Sequence, residues 1–443
     1  MGTLSVDKLM KTSTGAAEFT LPATDGAAGT VLQTDGSGQL SVGEVTAAGI
    51  AASAVTATEL ADNAVVTNKV SDGALTAAKI ADSAVITSKV APSTWLPHRN
   101  MIINGAMQVA QRGGTVAGGT SNVYSPIDRW GLGSGSSFNF DVTASINTTT
   151  VNTEDGFAAA LMITPDSTQT PTGSHNATIY YLMEGYDAQR LMQGGANAKT
   201  FTLSFYAKAV GKTGVYSVQC IKKDAAGAGR YQVKEFTVTT SWVRQEITFE
   251  ADTSALIRNS NANDLSFYFS MACGPDDIVA PTNAWAPNGG IKAGTNQVNF
   301  MDSTSNEFHI TGVQLEVGSN ATPYEFKSFG QELAACQRYF EKSYNTADVP
   351  GVGSLVPGFA YSTNNGNVLT QSPGAVFKVT KRSNPTIVVY NGVTGASGKA
   401  YRTSDASSQT VTVSHVGQSA IGYLNVPSSE NGYIYHYTAD SEL

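Results

Sequence analysis

FTLSFYAKAV, residues 201–210, places Phe201, Leu203 and Phe205 at every second position among mostly polar neighbours. Side chains alternate between the two faces of a β-strand, so this spacing predicts a strand with one face in a core. Five further segments downstream show the same alternation between clusters of Gly, Ser, Asn and Thr. They are VYSVQCI (215–221), YQVKEFTVTT (231–240), WVRQEITFEA (242–251), DLSFYFSMA (264–272) and FHITGVQLEV (308–317).

These segments predict a mainly β fold organised as an antiparallel jelly-roll sandwich over residues 93–327. Consecutive strands follow too closely for crossover helices to lie between them, which favours antiparallel sheets. A chain of 443 residues is too long for one core, so we expect several modules.

A helical stripe follows the predicted sandwich in SFGQELAACQRYFEKSY. Its apolar residues fall on one face of a helix, which predicts a connector helix over 328–345. Short strands return beyond it and predict a small distal β-domain over 346–443. The stripe consists of Phe329, Leu333, Cys336, Phe340 and Tyr344.

Four ten-residue blocks, AASAVTATEL, ADNAVVTNKV, SDGALTAAKI and ADSAVITSKV, fill residues 51–90. A fixed period indicates an array. Two sizeable apolar side chains per block cannot offset the cost of ordering one thin chain, about 1 to 2 kcal/mol per residue. Identical chains must then supply the missing cover, and a ring of three is the simplest closed arrangement. The alternative is a flexible Ala/Thr/Ser linker. The predicted trimer axis of this shaft, residues 44–92, comprises Val55, Leu60, Val65, Val70, Leu75, Ile80, Val85 and Val90.

Residues 1–43 are predicted to form a hairpin-like head, because turn signals separate short β-type runs in VLQTDGSGQLSVG (31–43). The start of the chain lacks the apolar core of a secretory signal, and no run approaches the ~20 apolar residues of a membrane span. We therefore expect assembly in a cytoplasm.

Composition excludes two classes of partner. Charged residues make up 14% of the chain and the formal net charge is −8, with no basic block. Nucleic acid and anionic membrane are therefore not expected partners. The three cysteines, Cys220, Cys273 and Cys336, are too widely and irregularly spaced for a disulfide framework or a metal knuckle.

MIINGAMQVAQRG (101–113), SPIDRWGLG, FTLSFYAKA and SWVRQEITFEA precede ITGVQLEVGSNATPYEFKSFGQELAACQRYFEKSY (310–344). In this order they resemble a module recurrent in tail-fibre and tail-tip proteins of tailed bacteriophages, over about residues 99–345. The resemblance implies a homotrimeric virion tail fibre. Such a fibre attaches through its N-terminal region to a tail or adaptor protein and binds a host surface receptor. A polysaccharide is the expected receptor, and an outer-membrane receptor is the other possibility.

The middle domain also resembles jelly-roll carbohydrate-binding modules of glycoside hydrolases. Those modules often supply a structural calcium ligand from an acid near their start. The corresponding segment here, Asn104-Gly105-Ala106-Met107-Gln108, has no acid. We therefore predict no metal and no cofactor.

Aromatic residues in loops are the candidate receptor contacts. Trp285 lies in a Pro/Asn/Gly loop, where it either stacks on a sugar ring or packs within the loop. Two turn clusters combine aromatic faces with hydrogen-bonding groups, whereas the ladder Tyr433, Tyr435 and Tyr437 is predicted to pack as core or trimer contact. The full candidate set is Trp285, Tyr361, Asn364, Asn365, Tyr401, Arg402 and Asp405.

Residues for catalysis are sparse, so we predict that the protein is not an enzyme. The five histidines are scattered, and His309 is predicted to be a satisfied strand residue. A capsular polysaccharide depolymerase remains the alternative, because a glycosidase needs two carboxylates at a defined separation. The acids that could include such a pair are Asp276, Asp277, Asp302 and Glu307, for which solvated loop positions are favoured.

Two further aromatic positions are given structural roles. The Asp128-Arg129-Trp130 segment is predicted to be a packed ion pair that pins a loop to the sandwich. Trp242 opens a predicted strand and is expected in the core.

Overall fold

The structure is a computed structural model. It describes residues 8–10, 18–23, 27–28, 30–34, 39–45, 50, 98–120, 122–224, 226–287, 289–356, 359–361, 371–426 and 432–443. The eight predicted trimer-axis residues from Val55 to Val90, together with Asn364 and Asn365, lie outside these ranges. The trimeric shaft therefore stays a prediction. The chain divides into two units, Met1–Ile86 and Thr87–Leu443.

The first unit contains two antiparallel strand pairs among its described residues. Strand β1 (Lys8–Met10) pairs with β2 (Glu18–Thr20), and β3 (Val31–Thr34) pairs with β4 (Leu40–Gly43). The two strands of the second pair flank the Asp-Gly and Gly-Ser-Gly turn signals in the sequence. The predicted hairpin over 31–43 is therefore confirmed.

The second unit begins with a two-sheet sandwich. The strands of this part of the chain are β5 (Thr115–Ala117), β6 (Val123–Tyr124), β7 (Trp130–Gly135), β8 (Val142–Asn147), β9 (Ala160–Pro165), β10 (Asn176–Glu184), β11 (Phe201–Val210), β12 (Gly214–Lys223), β13 (Gly229–Val238), β14 (Val243–Phe249), β15 (Asn263–Cys273), β16 (Ile278–Val279), β17 (Ala286–Pro287), β18 (Ala293–Gly294) and β19 (Glu307–Val317). One sheet has seven strands in the order β17-β13-β12-β15-β10-β7-β6, and the other has six in the order β14-β11-β19-β9-β8-β5. Every ladder within these two sheets is antiparallel, and the mainly β fold is confirmed. Strands β16 and β18 form a separate parallel pair, and helix α1 (Gly185–Ala188) follows β10.

Alternation along β11 builds the core as the sequence predicts. Phe201, Leu203 and Phe205 are all fully buried between the two sheets. On β19 the alternation is interrupted at Gly312, which has φ +62°, and the register to β11 shifts there. A Cβ at Gly312 would lie 2.5 Å from the Phe157 ring, so glycine is required at this bulge.

The predicted connector helix is shorter than expected. Helix α2 spans Phe329–Gln337 and begins with a capping box between Ser328 and Gln331. Its end precedes a strand, β20 (Phe340–Lys342), which pairs with the last strand of the chain. The prediction of a helix over 328–345 was therefore wrong beyond Gln337, because pairing in a sheet overrides the helical stripe.

The face of α2 that is buried also differs from the predicted stripe. Cys336 is buried as predicted, but Phe329 of the predicted stripe is 44% exposed, and the buried Glu332 does not belong to that stripe. The Glu332 carboxylate accepts a hydrogen bond from the Asn104 backbone N–H at 2.6 Å. A polar anchor to the sandwich therefore orients this helix, and a count of apolar residues does not detect it.

The C-terminal β-domain contains two sheets. Its strands after β20 are β21 (Phe359–Tyr361), β22 (Gln371–Pro373), β23 (Thr386–Asn391), β24 (Lys399–Arg402), β25 (Ser407–Thr410), β26 (Thr412–Val416), β27 (Ile421–Asn425) and β28 (Tyr433–Asp440). Strand β28 pairs with β20, β21, β23 and β24, while β27 lies between β22 and β26. Tyr433, Tyr435 and Tyr437 of β28 are buried, which confirms their predicted core role.

A buried charge cluster joins the sandwich to the C-terminal domain. Asp128, Arg129 and Trp130 are all at most 1% exposed, as the packed-loop prediction requires. Arg129 pairs with Glu442 of the C-terminal domain, however, and Asp128 pairs with Arg112, Nη1 to Oδ1 at 3.5 Å. The Asp128-Arg129-Trp130 segment therefore holds its loop against the sandwich and also links the sandwich to the C-terminal domain.

Candidate functional site

The outer face of the seven-stranded sheet is covered over β12 by the strap, which we define as residues 289–298. The Gly294 N–H donates to Ser217 Oγ at 2.8 Å, and the Lys292 N–H donates to Gln219 Oε1 at 3.0 Å. Ser217 and Gln219 are consequently fully buried. The outer face of the sheet is therefore covered by the chain itself over β12.

The outer face of the six-stranded sheet carries a row of side chains that crosses its strands. The register pairs Lys208 with His309, His309 with Met162, Met162 with Ser145, and Ser145 with Thr115. Adjacent strands are spaced by about 4.8 Å, so six strands present a surface roughly 24 Å wide. We call this surface the open sheet face; its members are Thr115, Thr143, Ser145, Met162, Thr164, Lys208, Trp242, Glu307 and His309.

Trp242 lies at one end of the open sheet face and is half-buried. Its Nε1 donates to the Thr150 carbonyl at 3.3 Å, and the Lys208 Nζ is 5.3 Å from its ring centroid. The expectation that Trp242 belongs to the core was therefore wrong. Trp242 has the same parity as the outward residues Arg244 and Glu246 of β14, and that parity is the sequence signal that places it outside.

His309 anchors the middle of the row. Burial lowers the pKa of the imidazole, which keeps the ring neutral. Its Nε2 lies 3.0 Å from a Glu307 carboxylate oxygen, and its Nδ1 lies 3.2 Å from the Asn147 amide nitrogen. Both ring nitrogens are therefore satisfied, which confirms the predicted strand role.

An aromatic cluster lies at the other side of the open sheet face. The Phe157 ring centroid is 5.1 Å from that of Tyr324, 5.3 Å from that of Tyr206 and 5.1 Å from that of Phe326. Phe326 is 38% exposed, and Tyr206 is half-buried on β11, two residues from Lys208. Polar side chains are thus flanked by aromatic surface on both sides.

Trp285 is not placed as a stacking platform. It is 8% exposed, and its Nε1 donates to the Glu250 carbonyl at 2.6 Å. Its ring centroid lies 6.4 Å from that of Phe201 in the sandwich core. The structure agrees with the loop-packing alternative, because little of the indole is left to meet a sugar.

One described residue of each predicted turn cluster, Tyr361 and Arg402, lies at the same end of β28. Tyr361 and Arg402 both pair with Tyr433, from opposite edges of that strand. Arg402 Nε donates to Asp405 Oδ1 at 2.8 Å, and this bond holds the pKa of Asp405 below its usual range. Tyr401 is half-buried one residue earlier. A receptor contact at this end of the domain stays a prediction.

Three of the four candidate catalytic acids, Asp277, Asp302 and Glu307, are engaged by neighbouring side chains. Asp277 pairs with Lys292 and Asp302 pairs with Lys212. Within the described residues, no three His, Cys, Asp or Glu side chains converge as a metal site. Among those same residues, every helix is too short or too polar to cross a membrane.

No protein-family model matches the chain, and no curated protein matches it in sequence. Several solved structures are weakly similar. The enzymatically active domain of tailspike protein 4 from bacteriophage CBA120 is 12% identical over 50% of this chain, which covers 22% of that protein, with a TM-score of 0.28. A family 11 carbohydrate-binding module from Clostridium thermocellum is 16% identical over 43% of this chain and 89% of its own, with a TM-score of 0.25. A putative sugar-binding protein from Bacteroides thetaiotaomicron is 11% identical over 49% of this chain and all of its own, with a TM-score of 0.29.

Proposed function

We propose that the protein is a structural tail fibre of a bacteriophage virion that binds a host surface polysaccharide as a homotrimer. The open sheet face is the observation that carries the polysaccharide-binding part of this proposal, and the predicted shaft of residues 44–92 supports the homotrimer. The open sheet face sets a half-buried indole, an ammonium group and several hydroxyl groups along one surface, with aromatic rings at its border. Sugar rings combine apolar faces with hydroxyl groups, so they need this mixture of contacts.

The shape of the face fits a chain of sugars better than a small enclosed ligand. The row runs across six strands and leaves Lys208, Met162 and Ser145 half-buried, with the fully buried His309 between Lys208 and Met162. Each contact on such an open surface is weak. Three copies per fibre raise the effective affinity without any additional contact type.

We place the attachment to the tail or its adaptor protein in the N-terminal region, and we assign no reaction to the chain. Three of the four acids considered for glycoside hydrolysis have structural partners: Asp277 and Asp302 pair with lysines, and Glu307 hydrogen-bonds to the neutral His309 ring. A glycosidase instead needs two carboxyl groups that flank the scissile bond at a defined separation.

The test is to incubate the purified full-length protein with envelope polysaccharide from candidate host bacteria. We expect retention of the protein on the polysaccharide of a susceptible strain and no increase in reducing ends. New reducing ends would contradict the binding-only function and favour the depolymerase. Failure to bind any host polysaccharide would contradict both.

A further inference from the structure

A pocket of about 550 Å³ lies on the outer face of the C-terminal sheet, next to Arg112 of the sandwich. Thr386 pairs with Asp440 and Val388 pairs with Thr438, so alternate residues of β23 and β28 share this face. We call it the seam pocket. It is separate from the open sheet face, whose residues belong to the six-stranded sheet of the sandwich.

Apolar and aromatic groups form part of the pocket wall. The Arg112 guanidinium lies 3.9 Å from the Phe340 ring centroid. Tyr390 of β23 also lines the pocket. Tyr390 is held by Tyr344, whose ring packs edge-on at 6.1 Å between centroids. An ordered aromatic ring at the edge of a pocket is a suitable surface for the apolar face of a sugar.

Unused hydrogen-bonding groups surround the same space. The hydroxyls of Thr386, Thr438 and Tyr390 make no hydrogen bond to any other residue that the structure describes. The Asp440 carboxylate accepts from Arg112 at 3.3 Å and from the Glu442 N–H at 3.0 Å, yet its side chain stays 41% exposed. A carboxylate has about four acceptor positions, so Asp440 can still accept from a ligand hydroxyl.

Charge at the pocket disfavours an anion. Arg112 is the cation that lines it, and three carboxylates already lie within 3.5 Å of its guanidinium, those of Asp128, Asp440 and Glu442. A phosphate or sulfate would therefore meet net negative charge. A neutral, hydroxyl-rich ligand can use the three hydroxyls and the Asp440 acceptor without that repulsion.

We propose that the seam pocket binds one neutral sugar residue, as a second saccharide site of the same receptor. This inference rests on the proposed polysaccharide-binding function and extends it to the C-terminal domain. Its position at the joint between the two domains would let one glycan contact both of them. Two weak sites per chain would add to the avidity of a trimer.

The test is saturation-transfer NMR on the full-length protein with glucose, galactose, mannose and N-acetylglucosamine, each at millimolar concentration. We expect binding of at least one sugar that persists in Trp242→Ala and is lost in Thr386→Trp, whose indole fills the pocket. Thr412→Trp, at an exposed position on another sheet of the same domain, is the matched control and should bind as wild type.

A second substitution, which keeps the aromatic ring and removes only a hydroxyl group, tests the pocket without disturbing the fold. Tyr390→Phe removes one hydroxyl and should weaken binding several-fold, by about the worth of one hydrogen bond. Tyr423→Phe, at a 42% exposed tyrosine on β27, should have no effect. Equal binding by wild type, Thr386→Trp and Tyr390→Phe would overturn the pocket, as would binding of none of the four sugars. Retention on host polysaccharide in either case would leave the proposed function standing.

Discussion

Trp242 and Trp285 are two indoles of the sandwich in different environments. Trp285 packs in the core at 8% exposure, whereas Trp242 lies half-buried on the open sheet face. We expect Trp285→Ala to lower the free energy of unfolding by about 3–5 kcal/mol, through lost burial and the cavity left behind. Trp242→Ala should cost clearly less. Denaturant unfolding of both variants checks this, and equal losses would contradict the two placements.

Asp128 gives the fold a pH dependence of known sign. Burial is the largest cause that raises its pKa, from 3.8 to about 6, against the opposing effect of Arg112. Between pH 4 and pH 6 the unfolded chain loses this proton before the native protein does. Ionisation of Asp128 therefore destabilises the fold as the pH rises through this window.

We expect the unfolding free energy of the wild type to fall relative to that of Asp128→Asn across this window. The difference corresponds to about 3 kcal/mol, at 1.36 kcal/mol per unit of pKa. Denaturant unfolding at closely spaced pH values measures it. Because other carboxylates titrate in both proteins alike, only the difference between the two curves is informative. Parallel curves would contradict a raised pKa at Asp128.

At the scale of elements, two glycines should respond to the same substitution with opposite signs. A Cβ at Gly312 would lie 2.5 Å from the Phe157 ring and 2.9 Å from the Tyr206 ring, at a positive φ. Gly312→Ala should destabilise the protein by about 1–3 kcal/mol. Gly330 lies in the first turn of α2 with open space around its Cβ position, so Gly330→Ala should stabilise it by about 0.4–1 kcal/mol. Melting temperatures that move in the same direction would contradict this.

The strands of the sandwich could be predicted from sequence because one buried face imposes a period of two. Phe201, Leu203 and Phe205 show that period without interruption. The end of α2 could not be predicted, since Phe340 continues a helical stripe and only its long-range pairing with Asp440 makes it a strand residue. Local patterns do not contain that pairing.

The candidate site was harder to predict than the fold, for a related reason. The open sheet face is assembled from five strands and the residue before a sixth, so its row exists only in the register of the sheet. Sequence reasoning selected Trp285 because loops are usually exposed, but a hydrogen bond to Glu250 and contact with Phe201 hold it inside. The alternation along β14 predicts that the Trp242 side chain faces outward, but it does not predict what that side chain does.

At the scale of the whole molecule, the decapeptide array is expected to assemble three chains. Its two aliphatic columns can be buried only against other copies, so the intact protein should have the solution mass of a trimer. A protein lacking residues 44–92 should be a monomer at the same concentration. Analytical ultracentrifugation of both proteins measures this. Trimers in both would move assembly to the globular part, and a monomeric intact chain would contradict the fibre.

The open sheet face as a polysaccharide-binding surface is tested most directly by an equilibrium binding isotherm on host envelope polysaccharide. The wild-type protein is compared with Trp242→Ala and with Tyr423→Ala, which removes an exposed ring from the C-terminal domain. We expect Trp242→Ala to weaken binding by about tenfold or more, equivalent to about 1.4 kcal/mol per site, and Tyr423→Ala to bind as the wild type does. Wild-type affinity in Trp242→Ala would contradict the account.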